Sequence, residues 1–195
     1  MPLITFWEVI DLFAMTVFVG YIFSDMLQVK RHSYDPLIYH KRLFDTESLK
    51  IAVIATAPAI ILHELAHKFV AIGFGLDAVF MAFYRNSFTL FLGFLTIISK
   101  FTGMGFMFFV PGFVSISGNG SHLQFALTAL AGPLVNLALW LSSSYLLKKK
   151  KCNKYYMPLI LTKKINMFLF IFNILPIPGF DGYKIFSELT KSFIS

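Results

Sequence analysis

A single cysteine, Cys152, excludes an intrachain disulfide framework, and its place among lysines reads as incidental. Charge is scarce too. Only 14% of the 195 residues are charged, where a soluble domain carries about a quarter. There is no internal repeat and no low-complexity linker, so neither a solenoid nor a string of modules is expected. The net charge of +7 comes without an Arg-rich stripe or an aromatic platform, so no nucleic-acid partner is expected. Basic residues in the loops of an apolar chain serve instead to set topology across a bilayer. The first residues lack a basic stretch and a small-residue cleavage site, and Glu8 and Asp11 come early, so no cleaved signal peptide is expected.

What the chain has in plenty is apolar sequence. Hydrophobic residues make up 57%, and the mean hydropathy is +0.72. Four runs, at residues 3–27, 51–74, 122–147 and 157–180, approach or exceed the ~18 residues that suggest a membrane span. The reading is a multi-pass protein of the cell membrane, with the lipid bilayer as its solvent. Residues 28–50 are polar, with Asp35-Pro36 as a breaker, and read as a surface loop or a short interfacial helix. Glu8 and Asp11 read as groups placed at the interface beside a helix N-terminus. Residues 77–87 are aromatic and read as a strand at the membrane boundary.

Inside the second run stands His63-Glu64-Leu65-Ala66-His67. On a helix, positions four apart stack on one face, so two imidazoles there can hold one Zn2+, and the glutamate between them can act on a zinc-bound water. Ionisable groups in a stretch otherwise fit for lipid are costly, and such groups are functional by default. A catalytic zinc takes three protein ligands and keeps one position open. His32, His40 and His122 lie in a loop or at the start of a span and read as solvated or structural. Asp181 differs. It closes the last apolar run, beside Pro176, Pro178 and Gly179, which open the backbone. Open backbone at membrane depth is tolerated where it is buried in protein or lines a watery cavity. A carboxylate there suits a third metal ligand.

H-E-L-A-H on one span, G-P-L-V-N at residues 132–136 and N-x-x-P-x-x-x-x-D-G at residues 173–182 resemble, in that order, the site-2 protease family of intramembrane zinc metalloproteases. The resemblance covers roughly residues 51–190. It implies one zinc held by His63, His67 and Asp181, with Glu64 as the general base. It also places Asn136 and Asn173 near the active site, where they would hold the substrate backbone or the oxyanion. Gly132-Pro133 reads equally as a site of close helix packing. The implied substrate partner is a transmembrane helix of another membrane protein, as in regulated intramembrane proteolysis.

Ligands must also meet at one depth. His63 and His67 lie roughly 18–24 Å beyond Lys50 along a helix, and Asp181 roughly 25 Å beyond Lys164. These depths agree only if the two helices run parallel, which requires an even number of crossings from one to the other. Residues 88–109, interrupted by Gly93, Lys100, Gly103 and Gly105, are therefore expected to re-enter or dip into the membrane without crossing it. The expected fold is an all-α polytopic membrane protein of about four transmembrane helices plus that segment, with short β strands. Residues 1–50 form the first helix and its polar loop, and residues 51–195 form the metalloprotease core. An edge at residues 78–85 or 106–117 would hold an extended substrate by strand addition. The alternatives are an inactive protein that binds transmembrane helices around a structural zinc, and a transporter. A structural zinc has no need of Glu64, and a transporter wants more intramembrane acids.

Overall fold

A computed structural model describes residues 3–24, 46–102, 112–149 and 156–194. Six α-helices and a two-stranded sheet follow in the order α1 (Phe6–Phe23), α2 (Thr46–Gly73), β1 (Asp77–Met81), a 3-10 turn at Phe83–Arg85, α3 (Ser87–Thr102), β2 (Phe113–Ser117), α4 (His122–Lys148), α5 (Tyr156–Ile174) and α6 (Asp181–Ile194). Four of these helices, α1, α2, α4 and α5, are long and apolar enough to cross a membrane. Their outward residues suit lipid: Phe13 and Ile54 are 70% and 73% exposed. The fold class expected from the sequence is the one observed. α2 begins at Thr46, upstream of the boundary drawn at residue 51, and α1 packs on it.

Local chemistry sets the helix ends. Thr5 and Glu8 form a capping box at the start of α1, as Ser121 and Gln124 do for α4, so each side chain satisfies a backbone donor the helix leaves open. α2 stops at a left-handed Gly75, with φ of 75°. There the N–H of Leu76 reaches the carbonyl of Ala71 and that of Gly75 reaches Ile72, both at 2.9 Å.

Contacts fix the direction of every span. Glu8 on α1 meets Lys68 on α2, while a Cβ on Gly20 would lie 2.6 Å from Val53, so α1 and α2 are antiparallel. His67 meets Thr128 and His63 meets Asn136, so α2 and α4 are antiparallel. Asn173, at the C-terminal end of α5, shares a small cavity with His63 and Glu64 in the C-terminal half of α2, and Asp181 just beyond α5 meets His63 and His67. α5 therefore runs parallel to α2, as the depth argument requires. Because α2 and α4 are antiparallel, the chain between them leaves and returns on one side. β1 and β2 say the same, since their antiparallel pairing (Asp77 with Ser117 through Met81 with Phe113) brings both ends of the segment to one sheet. α3 descends along α1, where Lys100 donates to the Tyr21 carbonyl and to Ser24 Oγ. The return at residues 103–109 lies outside the described residues.

One expectation fails. Glu8 and Asp11 are buried, not placed at an interface. Glu8 Oε1 accepts from Lys68 Nζ and from the Phe80 N–H at 2.9 Å, and its Oε2 accepts from the Thr5 N–H at 2.7 Å. Asp11 accepts from Tyr84 Oη and from Arg85 Nε at 2.8 Å. Apart from Thr5, their partners lie 60 to 74 residues away, beyond any local reading. These two carboxylates clamp α1 to α2, β1 and the 3-10 turn. A charge pair inside an apolar fold persists only when hydrogen-bonded in this way.

Candidate metal centre

The centre lies where α2 faces α4. The two histidines are four apart on one face of α2, and Thr128, Gly132 and Asn136 are four apart on the facing side of α4. Antiparallel packing sets His67 level with Thr128 and His63 level with Asn136. The His67 Nδ1–H donates to the Thr128 carbonyl at 2.7 Å, and the His63 Nδ1–H donates to Asn136 Oδ1 at 2.7 Å. A carbonyl can only accept, so in a neutral His67 the lone pair is left on Nε2. The partner of each Nδ1 thus selects the tautomer that a metal needs.

Asp181 arrives from the other direction. Pro176 and Pro178 end α5, and Gly179 turns the chain with φ of 99°. Asp181 opens α6 where the spans' apolar run ends. Gly182 lets this turn close, because a Cβ there would lie 2.4 Å from the carbonyl oxygens of Ile174 and Leu175. The opened backbone expected around Asp181 is present.

Three acceptor atoms converge as a result. His63 Nε2 and His67 Nε2 are 3.1 Å apart, and Asp181 Oδ2 lies 3.1 Å from the first and 3.2 Å from the second. Ligands about 2.0 Å from a tetrahedral ion lie about 3.3 Å apart. The triangle is therefore one face of a zinc-sized tetrahedron. With both ring protons committed elsewhere, two nitrogen lone pairs and a carboxylate oxygen point at one another with no donor between them. A cation is what satisfies that arrangement. Among the described residues these three form the one group suited to hold a metal.

Gly132 supplies the space. A Cβ on Gly132 would lie 2.3 Å from His67 Nε2 and 2.7 Å from His63 Nε2, inside the volume that an ion bonded at about 2.0–2.1 Å must fill. In the sequence this glycine read as part of the G-P-L-V-N resemblance or as a packing residue, without a stated place at the metal. Its spacing of four before Asn136, matching the spacing of the histidines, is the signal that could have found it.

Glu64 is buried beside His63, and its Oε2 has no hydrogen-bond partner among the described residues. It faces the small cavity shared with Asn173. Asn173 is buried with Oδ1 unpartnered, and Asn136 keeps Nδ2 unpartnered behind His63. Asn136→Ala should weaken zinc binding roughly 10- to 100-fold by freeing the His63 ring. A competition titration with a zinc chelator measures this, and unchanged affinity would assign Asn136 no hold on the ring.

A cleft of about 530 Å³ opens from the centre. His67 and Asp181 form its inner end, Phe125 and Ala129 of α4 one side, Lys184 and Glu188 of α6 another. Phe113, Val114, Ser115 and Ile116 of β2 form the last. Consecutive strand residues alternate faces, so the cleft meets β2 along its edge. At the far end Glu188 accepts from His122 Nδ1 at 2.7 Å and from Lys191 Nζ at 2.6 Å. The Lys191 hydrogen bond holds the Glu188 carboxyl below the usual range, burial opposing and His122 adding to it.

No family model matches the chain, and no solved structure matches it. A protein of Methanocaldococcus jannaschii that bears the name of a candidate zinc metalloprotease is 35% identical to it over 139 residues, covering 69% of this chain and 68% of the relative.

Proposed function

The chain belongs to the zinc metalloprotease family of that archaeal relative, and from this premise we propose that it hydrolyses a peptide bond in or near a transmembrane segment of a membrane-protein substrate, as site-2 proteases do. The observation that carries the reading is the triangle of His63, His67 and Asp181 with no proton to share, set beside a buried Glu64 that lacks a partner. An unpartnered buried carboxylate has no structural duty, which disfavours an inactive protein around a structural zinc.

One zinc per chain would be held by His63, His67 and Asp181. When bound it supplies a Lewis acid that brings the pKa of water down to about 7 and polarises the scissile carbonyl. The chain's own groups do the rest. Glu64 takes the proton from the attacking water and returns it to the leaving amine. Asn136 and the Thr128 carbonyl act as positioning groups that keep both imidazoles turned inward. Asn173 faces the same small cavity as Glu64, where it suits a hydrogen bond to the substrate backbone.

A transmembrane helix has its carbonyls already hydrogen-bonded, so it must unwind before attack. Among the described residues the outer edge of β2 has no strand beside it, and it suits the unwound segment. The Phe80 N–H points to Glu8, away from β2, so Phe80 and Val114 form a non-hydrogen-bonded pair, as do Ala78 and Ile116. The main-chain groups of Val114 and Ile116 therefore face outward, toward the cleft. An extended substrate adds there as a third strand.

The test is cleavage of a single-span substrate by detergent-purified protein. Activity should vanish on chelation and return with added zinc; activity that survives complete removal of the metal would refute the metalloprotease reading. Ile116→Pro removes one outward donor while leaving the β1 pairing in place. It should lower cleavage with zinc content intact, and cleavage at the wild-type rate would exclude strand addition at this edge.

A further inference from the structure

Lys184 is a cation that the described residues leave without a partner. It sits on α6 one turn beyond Asp181 and lines the cleft with it. Residues three apart share a helix face, so the turn that aims Asp181 at the centre carries Lys184 along the same wall. The nearby acid is already taken, since Glu188 accepts from both His122 and Lys191. Among the described residues the Lys184 ammonium makes no hydrogen bond and no ion pair; only its backbone carbonyl is engaged, by Ser187 Oγ at 3.1 Å. It pairs with neither Asp181 nor Glu64, so its positive charge lines the cleft and stands off the reacting atoms. The first turn of α6, whose backbone N–H groups carry partial positive charge, adds to the same potential.

An unpaired ammonium on the wall of a peptide groove is suited to an anion. We propose that Lys184 determines specificity by pairing with a substrate carboxylate one or two residues from the scissile bond. The spacing follows from the geometry. Lys184 is about 4.5 Å beyond Asp181 along α6, and an extended chain advances about 3.3 Å per residue. The carboxylate comes from an aspartate or glutamate side chain, or from a free carboxyl terminus left by an earlier cut. The inference rests on the peptidase reading for its biological sense, but the carboxylate site can be measured without catalysis.

The experiment is equilibrium binding of fluorescent apolar hexapeptides to the zinc-loaded Glu64→Gln protein, which cannot turn them over. The peptides differ only in charge: an amidated peptide with Asn, the same with Asp or with Lys scanned through the sequence, and a free-acid peptide with Asn. An Asp peptide or the free-acid peptide should bind roughly ten-fold tighter than the neutral amide. Lys184→Met should erase that difference, and Lys184→Glu should reverse it in favour of a peptide carrying Lys. A preference for Asp alone assigns the site to acidic side chains, and a preference for the free acid alone assigns it to a terminal carboxylate. Equal affinity for all peptides, or a preference that persists in Lys184→Met, overturns the proposal. Zinc content shows that the cleft is intact in each variant. Cleavage by protein with Glu64 restored is scored separately. Its absence beside an intact binding preference would count against the peptidase reading and leave the carboxylate site standing.

Discussion

Glu64→Gln should retain zinc and cleave a single-span substrate roughly 100- to 10,000-fold more slowly than wild type. Glutamine matches glutamate in volume, so the packing of a residue only 5% exposed is kept. What is lost is a carboxylate that can take a proton. Glu64 is not among the three converging ligands, so the metal has no reason to leave. The change breaks no hydrogen bond at Oε2, which has no partner among the described residues, so the folded protein should be about as stable as wild type. Single-turnover cleavage with zinc analysis on the same sample reads both quantities. Undiminished cleavage would remove Glu64 from the chemistry. Lost cleavage together with lost zinc would make it a structural group instead.

Gly132→Ala should abolish activity through the metal, with zinc affinity falling by at least roughly 100-fold. The added methyl would sit 2.3 Å from His67 Nε2, and neither imidazole can step aside while its Nδ1–H is held by α4. Helix propensity works in the opposite direction, since alanine inside a helix is favoured over glycine by about 1 kcal/mol. The two effects separate cleanly. Metal binding and cleavage should collapse while the metal-free protein keeps its helical content and melts within a few degrees of metal-free wild type. Full zinc occupancy in this variant would show that α4 stands farther from α2 than the structure places it.

The contrast between these two residues shows what the sequence could reveal. Glu64 was legible as a candidate because it stands between two histidines four apart, on a helix whose periodicity is regular. His63 and His67 were legible for the same reason. Asp181 was legible because two prolines and a glycine mark a break in an otherwise apolar run. The four spans followed from length and hydropathy alone, and the even number of crossings from the need for ligands to meet at one depth. Gly132 was not legible as a metal-site residue. Its importance depends on the register of α4 against α2, which no local pattern encodes. Glu8 and Asp11 failed for a related reason. Near a helix start, a carboxylate has a satisfactory local explanation in the helix dipole. Only the arrival of Lys68, Phe80, Tyr84 and Arg85 from distant segments turns them into buried clamps. The β1–β2 pairing was half legible, since aromatic content suggested a strand at residues 77–87, while its partner and register required the antiparallel spans to bring the two segments together.

The position of the third ligand also sets a clock. His63 and Asp181 are separated by 118 positions in the chain. At roughly 5–20 residues per second, synthesis carries the ribosome from the first of these to the second in roughly 6–24 s. Throughout that interval the nascent protein has two imidazoles in the bilayer and no carboxylate to complete their triangle. The metal site of the growing chain is thus incomplete until α6 has been made and has folded back against α4 and α5.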